Sequence, residues 1–340
     1  MKESNNELIK TTKSIYHNSQ YNFNKVLSIE HLLDEIFKFL KEKDVKSLSL
    51  CSKKIYQFYC KQIEKLIIMK QSKKANIGVL NDKYNNAKNL AFSCCYNIEY
   101  FTYISKLERL ENLVFYRTNI SNISFLESNK NLRKLRIDIC EGVYNFETIS
   151  KLERLEILYF SQIDISDISF LENNKNIKQL IINRCQKIKD FRPISQLERL
   201  EILDLSNICI SDISFLENNK NIIQLGLYFC LYIKDFTPIS YFERLEILDV
   251  GWIKISDISF LENNKNIKQL KFKDCENIKN FRPISKLERL EILDVSNTDV
   301  SDISILENNK NIKLLKFEGC RLIKDYSPIS KLEYFRNFRC

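Results

Sequence analysis

SDISFLENNKNIKQL occupies residues 166–180 and returns letter for letter at 256–270, with the near copy SDISFLENNKNIIQL at 211–225. The step is 45 residues each time. A catalytic motif needs to be built once, whereas a peptide repeated at a fixed period of about 20–50 residues is the mark of a repeat architecture. The segment LERL keeps the same step, beginning at Leu107, Leu152, Leu197 and Leu287, with FERL at Phe242 and LEYF at Leu332. Each 45-residue block divides into halves of 22 and 23 residues that share one apolar skeleton, as LEILDVSNT (290–298) and IKLLKFEGC (312–320) show. Apolar residues stand at positions 1, 4 and 6, and a small or apolar one at position 9.

Positions 4 and 6 alternate along a short strand and therefore point to one face. After position 9 the chain must turn, return along the outside and start the next strand one rung over. No single coil buries its apolar face alone, so coils stack. Units start at Ala87, Leu110, Leu132, Leu155, Ile177, Leu200, Ile222, Leu245, Ile267, Leu290 and Ile312, eleven in all. Eleven strands at ~4.8 Å spacing predict a parallel sheet about 50 Å long. Residues 63–68 form a degenerate opening rung, and 335–340 the start of a closing one. In the opening peptide, Ser166 and Asp167 are placed to cap a very short helix. Ile168 and Leu171 turn inward, residues 173–176 (NNKN) make a polar turn, and Ile177 and Leu180 begin the next strand. The four prolines, Pro193, Pro238, Pro283 and Pro328, share one column, where a fixed φ and a missing N–H suit a helix's first turn.

The pattern L-x-x-L-x-L-x-x-(N/C/T) resembles the leucine-rich repeat, and the return paths resemble the 22-residue repeats of the internalin type. That resemblance implies an α/β fold: a right-handed solenoid with a parallel concave sheet and short 3₁₀ or single-turn helices on the convex side.

Composition fits a folded chain, with 44% hydrophobic and 29% charged residues among 340. The first twenty residues lack the apolar stretch of a secretory signal, and no apolar run approaches the ~18 residues that cross a bilayer. The expected location is therefore cytoplasmic or nuclear, with no membrane association and with free thiols. The net charge of +9 is uneven: residues 1–86 hold 16 Lys against 9 Asp or Glu, a net of +7, leaving +2 for the rest. Near-neutral repeats lack the dense basic stripe of a nucleic-acid binder, so no nucleic-acid partner is expected.

Cys95, Cys140, Cys185, Cys230, Cys275 and Cys320 recur every 45 residues. Two rungs separate neighbours by roughly 9–10 Å, beyond disulfide reach, and no C-x₂-C pair offers a zinc site. Thr118, Ile163, Ile208, Ile253 and Thr298 fill the column in between, so it reads as small buried residues at the strand-to-turn bend. The aspartates Asp167, Asp212, Asp257 and Asp302, each beside a serine, read as caps and not as a calcium site. Only two histidines occur, His17 and His31, and the five glycines are isolated, which leaves no acid–base pair or phosphate-cradling loop. No catalytic residue, metal or cofactor is expected, and the chain is not expected to be an enzyme.

The first eighty residues lack the period. Residues 1–24 read as a polar tail, expected to be flexible; 25–62 as a helical region; 63–86 as the degenerate first repeat and connector; and 87–340 as the solenoid with its partial C-terminal cap. In 27–58, Leu32, Leu33, Ile36, Phe37 and Leu40 keep helical spacing, then Val45, Leu48, Leu50, Cys51, Ile55 and Phe58 follow. By itself this is a small helical bundle capping the repeats. The letters also resemble the F-box, at Leu27, Glu30, Ile36, Phe37, Leu40, Asp44, Val45, Leu48, Cys51, Lys53 and Tyr56, with Ser28 where that family usually has proline. An F-box followed by leucine-rich repeats is the order of the F-box/leucine-rich-repeat proteins. The resemblance implies that Leu27, Ile36, Phe37, Leu40, Val45 and Leu48 grip a Skp-type adaptor. It further implies that the chain joins a cullin complex as the substrate-recognition subunit of a ubiquitin ligase. The alternative is a repeat scaffold that binds or sequesters a protein without a ligase.

Either way, the partner is an unidentified protein bound on the concave strand face, at positions 3, 5, 7 and 8 of each unit. Two clusters have the aromatic and charged composition of interface hot spots. Tyr116, Arg117, Arg136, Asp138 and Tyr159 form one; Tyr228, Phe229 and Trp252, the only tryptophan, with Asp204 and Asp249, form the other.

Overall fold

A computed structural model describes residues 65–69, 86–96 and 101–331, of which 65–69 and 330–331 are described by backbone alone. All of them lie in the unit Lys61–Cys340. The F-box-like segment and its adaptor-facing residues Leu27, Ile36, Phe37, Leu40, Val45 and Leu48 lie outside the described residues, as does the closing rung at 335–340.

Twelve strands make one sheet in chain order, each parallel to its neighbours. β1 (Lys65–Met69) is the opening rung, followed by β2 (Asn89–Ser93), β3 (Asn112–Tyr116), β4 (Lys134–Asp138), β5 (Ile157–Ser161) and β6 (Gln179–Asn183). The later strands are three residues long: β7 (Ile202–Asp204), β8 (Gln224–Gly226), β9 (Ile247–Asp249), β10 (Gln269–Lys271), β11 (Ile292–Asp294) and β12 (Leu314–Lys316). Register never slips, so residues at the same unit position stand side by side: Arg136 beside Tyr159, and Gly226 beside both Asp204 and Asp249. Positions 4 and 6 are buried in every unit from Leu90 and Phe92 to Leu270 and Phe272, forming one continuous apolar core. This is the period-2 alternation of a half-covered strand carried along the whole stack.

Each return path contains a 3₁₀ turn, for example Ser169–Asn173 and Arg192–Gln196. The column prolines take the first positions of these turns at Pro193, Pro238 and Pro283. The aspartates cap as the sequence implies: Asp167 Oδ1 accepts the Ser169 N–H at 2.8 Å, and Asp212, Asp257 and Asp302 repeat the bond with Ser214, Ser259 and Ser304. The serine before each aspartate is not the capping group.

One expectation is corrected. Asn174, read as part of a polar turn, is 1% exposed. Its Nδ2 donates to the carbonyls of Ile149 and Leu152, in the coil before, at 2.9 and 3.3 Å. Asn129, Asn219, Asn264 and Asn309 do the same. At the end of a 3₁₀ turn, carbonyls are left over, and this column uses a buried amide to tie each pair of coils together. The neighbouring Asn131, Asn176, Asn221 and Asn266 make a second seam. Asn176, for instance, donates to the Glu153 carbonyl at 2.8 Å and accepts from the Arg199 guanidinium at 2.8 Å. The arginine of each LERL is thereby explained.

Candidate partner-binding surface

The open face of the sheet is lined by positions 3, 5 and 7, and position 8 follows at its rim. Position 8 carries a feature not visible in the letters: every residue there from Cys94 to Gly319 has positive φ, between 50° and 75°. The N–H of this left-handed residue still donates to the next unit's position-7 carbonyl, as with Arg117 to Asp138 and Trp252 to Lys273 at 2.9 and 2.8 Å. The ladder thus runs into the bend and holds it in place. Left-handed backbone favours Gly, Asn and Asp, yet the column includes Arg117, Ile139, Phe229 and Trp252.

The two predicted clusters are both brought together. In the first, β4 and β5 set Arg136 beside Tyr159, and the guanidinium carbon sits 3.6 Å from the ring centroid. Arg136 Nη2 also bonds Asp138 Oδ2 at 2.6 Å. Burial pushes the Tyr159 phenol up to about 12 against the opposing pull of Arg136. Tyr116 lies half-buried beneath the exposed Arg117, 5.4 Å from ring centroid to guanidinium carbon. Asp138 is buried and already paired, so it acts by orienting Arg136 and presents little surface of its own.

In the second cluster, the Tyr228, Phe229 and Trp252 rings form a chain with centroids 6.4 and 5.9 Å apart. Phe229 and Trp252 are 39% and 44% exposed, which places two adjacent large apolar groups in solvent. Gly251 allows the close packing: a Cβ there would meet the Tyr228 ring and the Lys273 carbonyl oxygen at 3.1 Å. Asp249 is buried, and its Oδ2 is 2.9 Å from Lys271 Nζ. Asp204 is half-buried; its Oδ1 accepts the Ser206 N–H at 2.8 Å, and among the described residues it has no ion-pair partner. Burial raises the Asp204 carboxyl to about 6; the Ser206 hydrogen bonds and the distant Lys271 oppose this, and the Asp249 charge adds to it.

The fold has known counterparts. The BspA type leucine rich repeat region matches residues 63–140 and 250–338, in six copies. Among solved structures, an internalin from Listeria monocytogenes is 20% identical with a TM-score of 0.65, over 82% of this chain and 87% of that one. A leucine-rich-repeat protein from Leptospira interrogans is 15% identical with a TM-score of 0.57, over 78% and 83%. A plant peptide hormone receptor, in complex with its peptide, is 15% identical with a TM-score of 0.53, over 78% of this chain and 51% of that one. No curated protein matches the chain. The described chain is a leucine-rich-repeat solenoid.

Across this solenoid the charges alternate from rung to rung. At position 2, Glu111, Glu156, Glu201, Glu246 and Glu291 stand in one half-repeat and Arg133, Lys178, Lys268 and Lys313 in the other. Neighbours pair: Arg133 with Glu156 at 2.9 Å, Lys268 with Glu246 at 2.8 Å and Lys313 with Glu291 at 2.7 Å. Position 5 behaves likewise in the second half of the sheet, where Asp249, Lys271, Asp294 and Lys316 stand side by side. Lys271 and Gly226 stand in one column 45 residues apart and were not among the selected site residues.

The cysteine column lies under the bend. The Cys230 thiol donates to the Leu205 carbonyl at 3.0 Å and Cys275 to Val250 at 3.2 Å. Burial pushes both thiols up to about 12, and Cys95 and Cys185 to about 11. A thiolate is the nucleophile and metal ligand, so this environment makes the column structural.

Proposed function

We propose that the solenoid binds a protein partner on its strand face, and that the chain acts as the substrate-recognition subunit of a Skp–cullin–F-box type ubiquitin ligase. The observation carrying the first part is the contrast between a skeleton repeated at every coil and strand-face positions that vary, as position 5 does from Val114 and Arg136 to Tyr159, Ile181 and Gly226. The buried columns are fixed by packing, while the Arg136–Tyr159 and Phe229–Trp252 groups answer to no repeated structural demand. The two aromatic clusters supply large, oriented contact area, the usual composition of a binding hot spot. The ligase part rests on the resemblance of residues 27–58 to an F-box and on its place directly before leucine-rich repeats.

Two measurements test the parts separately. A purified Skp-type adaptor should be retained by the full chain and lost with Ile36→Asp or Leu40→Asp; no retention by the wild-type chain removes the ligase and leaves a binding scaffold. Trp252→Ala should keep the circular dichroism spectrum, and an unfolding free energy in urea within about 0.5 kcal/mol of wild type, while weakening capture of a protein partner. Loss of folding would make Trp252 a core residue and remove it from the surface.

A further inference from the structure

At position 2 the charge alternation breaks at one rung: between Glu201 and Glu246, where the pattern places a base, the chain has Ile223. At position 5 of the same rung, Gly226 puts no side chain between Asp204 and Asp249. Both features fall in the same nine residues, 222–230. Glu246 and Asp249 still find Lys268 and Lys271 on the following strand, but among the described residues Glu201 and Asp204 have no ion pair. On the same strand and face as Gly226, Gln224 is 8% exposed and its buried Nε2 has no hydrogen-bond partner. A buried donor without an acceptor costs free energy until something accepts from it. The exposed Phe229 ring lies at the end of this rung and the Trp252 ring at the end of the next.

Deepening the partner-binding reading above, on which this rests, we propose that the rung at 222–230 receives a basic segment of a protein partner. A lysine or arginine enters over Gly226 between Asp204 and Asp249, the Gln224 amide donates to the segment's backbone carbonyl, and the adjoining apolar portion packs on Phe229 and Trp252. The cation supplies from outside the charge that Lys271 supplies one repeat further on. A bare metal ion does not fit the site. Asp204 and Asp249 are only two carboxylates, and among the described residues no group of three or more His, Cys, Asp or Glu side chains is placed to hold a metal ion. A nucleic acid is disfavoured because the carboxylate-bearing Asp204 and Asp249 stand on either side of Gly226, where its phosphates would lie. Long side chains suit the site, and arginine stacks on aromatic faces as well as pairing with carboxylates.

The test uses a displayed random-peptide library panned on the full wild-type chain and on Gly226→Ala, Gly226→Lys, Asp204→Asn and Trp252→Ala. Gly226 lacks the left-handed φ of Gly319, so a side chain there meets no backbone strain; Gly226 is itself buried, and Gly226→Ala serves as the control for added bulk. Wild type and Gly226→Ala are expected to enrich lysine- and arginine-rich peptides. Gly226→Lys, which restores the missing base, is expected to bind the enriched peptide about tenfold or more weakly in fluorescence anisotropy, and Asp204→Asn also more weakly. Should Gly226→Lys fail to fold, Asp204→Asn carries the comparison. Undiminished binding of the basic peptide by the folded variants overturns the inference. Enrichment of neutral or acidic peptides in a Trp252-dependent way overturns it too, while leaving the strand face as a binding surface. No enrichment dependent on the strand face defeats both.

Discussion

Asp204→Asn is expected to stabilise the solenoid and remove one step from its pH dependence. The carboxyl is raised from 3.8 to about 6, chiefly by burial. Two units at 1.36 kcal/mol each set an upper bound of about 3 kcal/mol. Partial exposure of Asp204 and solvent screening reduce this to about 1–2 kcal/mol. The sign follows from proton binding. Between about pH 4, where the unfolded aspartate titrates, and about pH 6, the folded chain holds a proton that the unfolded chain has released, so stability falls as pH rises. Above about pH 6 both states are ionised and the penalty is constant. Asparagine keeps an oxygen for the Ser206 N–H, so the cap at 2.8 Å survives the substitution. The assay is urea denaturation of wild type and variant across about pH 4–8. Other carboxylates titrate in that window, but subtraction of the two curves leaves Asp204 alone. The variant's advantage should grow by about 1–2 kcal/mol between pH 4 and 6, then level off. A difference that stays flat, or shrinks with rising pH, would show that Asp204 is not held in a desolvated, unpaired state. The case for a missing cation at Gly226 would then lose its electrostatic basis.

Leu203→Ala, at a fully buried position of β7, should cost about 2–5 kcal/mol. Because coils contact only their neighbours, hydrogen-exchange protection should fall in β6–β8 well before β2–β4; an even loss along the chain would contradict that independence. Iodoacetamide near pH 8 should modify the exposed Cys209 in the folded chain and leave Cys230 and Cys275 untouched until denaturant is added, as read by peptide mass spectrometry. Equal labelling of Cys230 and Cys209 would place the cysteine column at a reactive surface.

The fold was legible because each unit position has one physical task and the task recurs. Leu90 and Phe92, or Leu270 and Phe272, are buried for the same reason, so the period alone locates the core. The buried Asn174 was not legible: a polar letter between Asn173 and Lys175 reads as a turn, and only carbonyls 25 and 22 residues back give it partners. Its signal lay in the column, since Asn129, Asn174, Asn219, Asn264 and Asn309 never vary while Ser128 stands where the other blocks have Asn. The aromatic clusters were visible as letters, but their division into exposed rings and already paired carboxylates depends on side-chain geometry. Asp138 and Asp249 illustrate this, since each is buried and already paired, with Arg136 and with Lys271.

The bend at position 8 was invisible for a different reason. Of the eleven residues held at positive φ there, one is glycine, and Ile139, Phe229 and Trp252 are types that resist that conformation. A left-handed L-residue costs about 1–2 kcal/mol, so local preference argues against the observed backbone. What imposes it is the stack: each bend donates its N–H to the next rung, a bond worth about 1 kcal/mol, and the buried position-9 residue fixes the exit. Once the backbone is dictated from outside the residue, the side chain is free to be chosen on other grounds. At Asn207 and Asn297 it still follows the backbone. At Phe229 and Trp252 it does not: the two rings pack on each other at 5.9 Å yet remain 39% and 44% exposed. A strained backbone carrying exposed aromatic surface is stable only because its neighbours hold it, and its physical return comes when that surface is covered. Covering that surface is the role proposed for the partner, beside the rung where the position-2 charge pattern breaks.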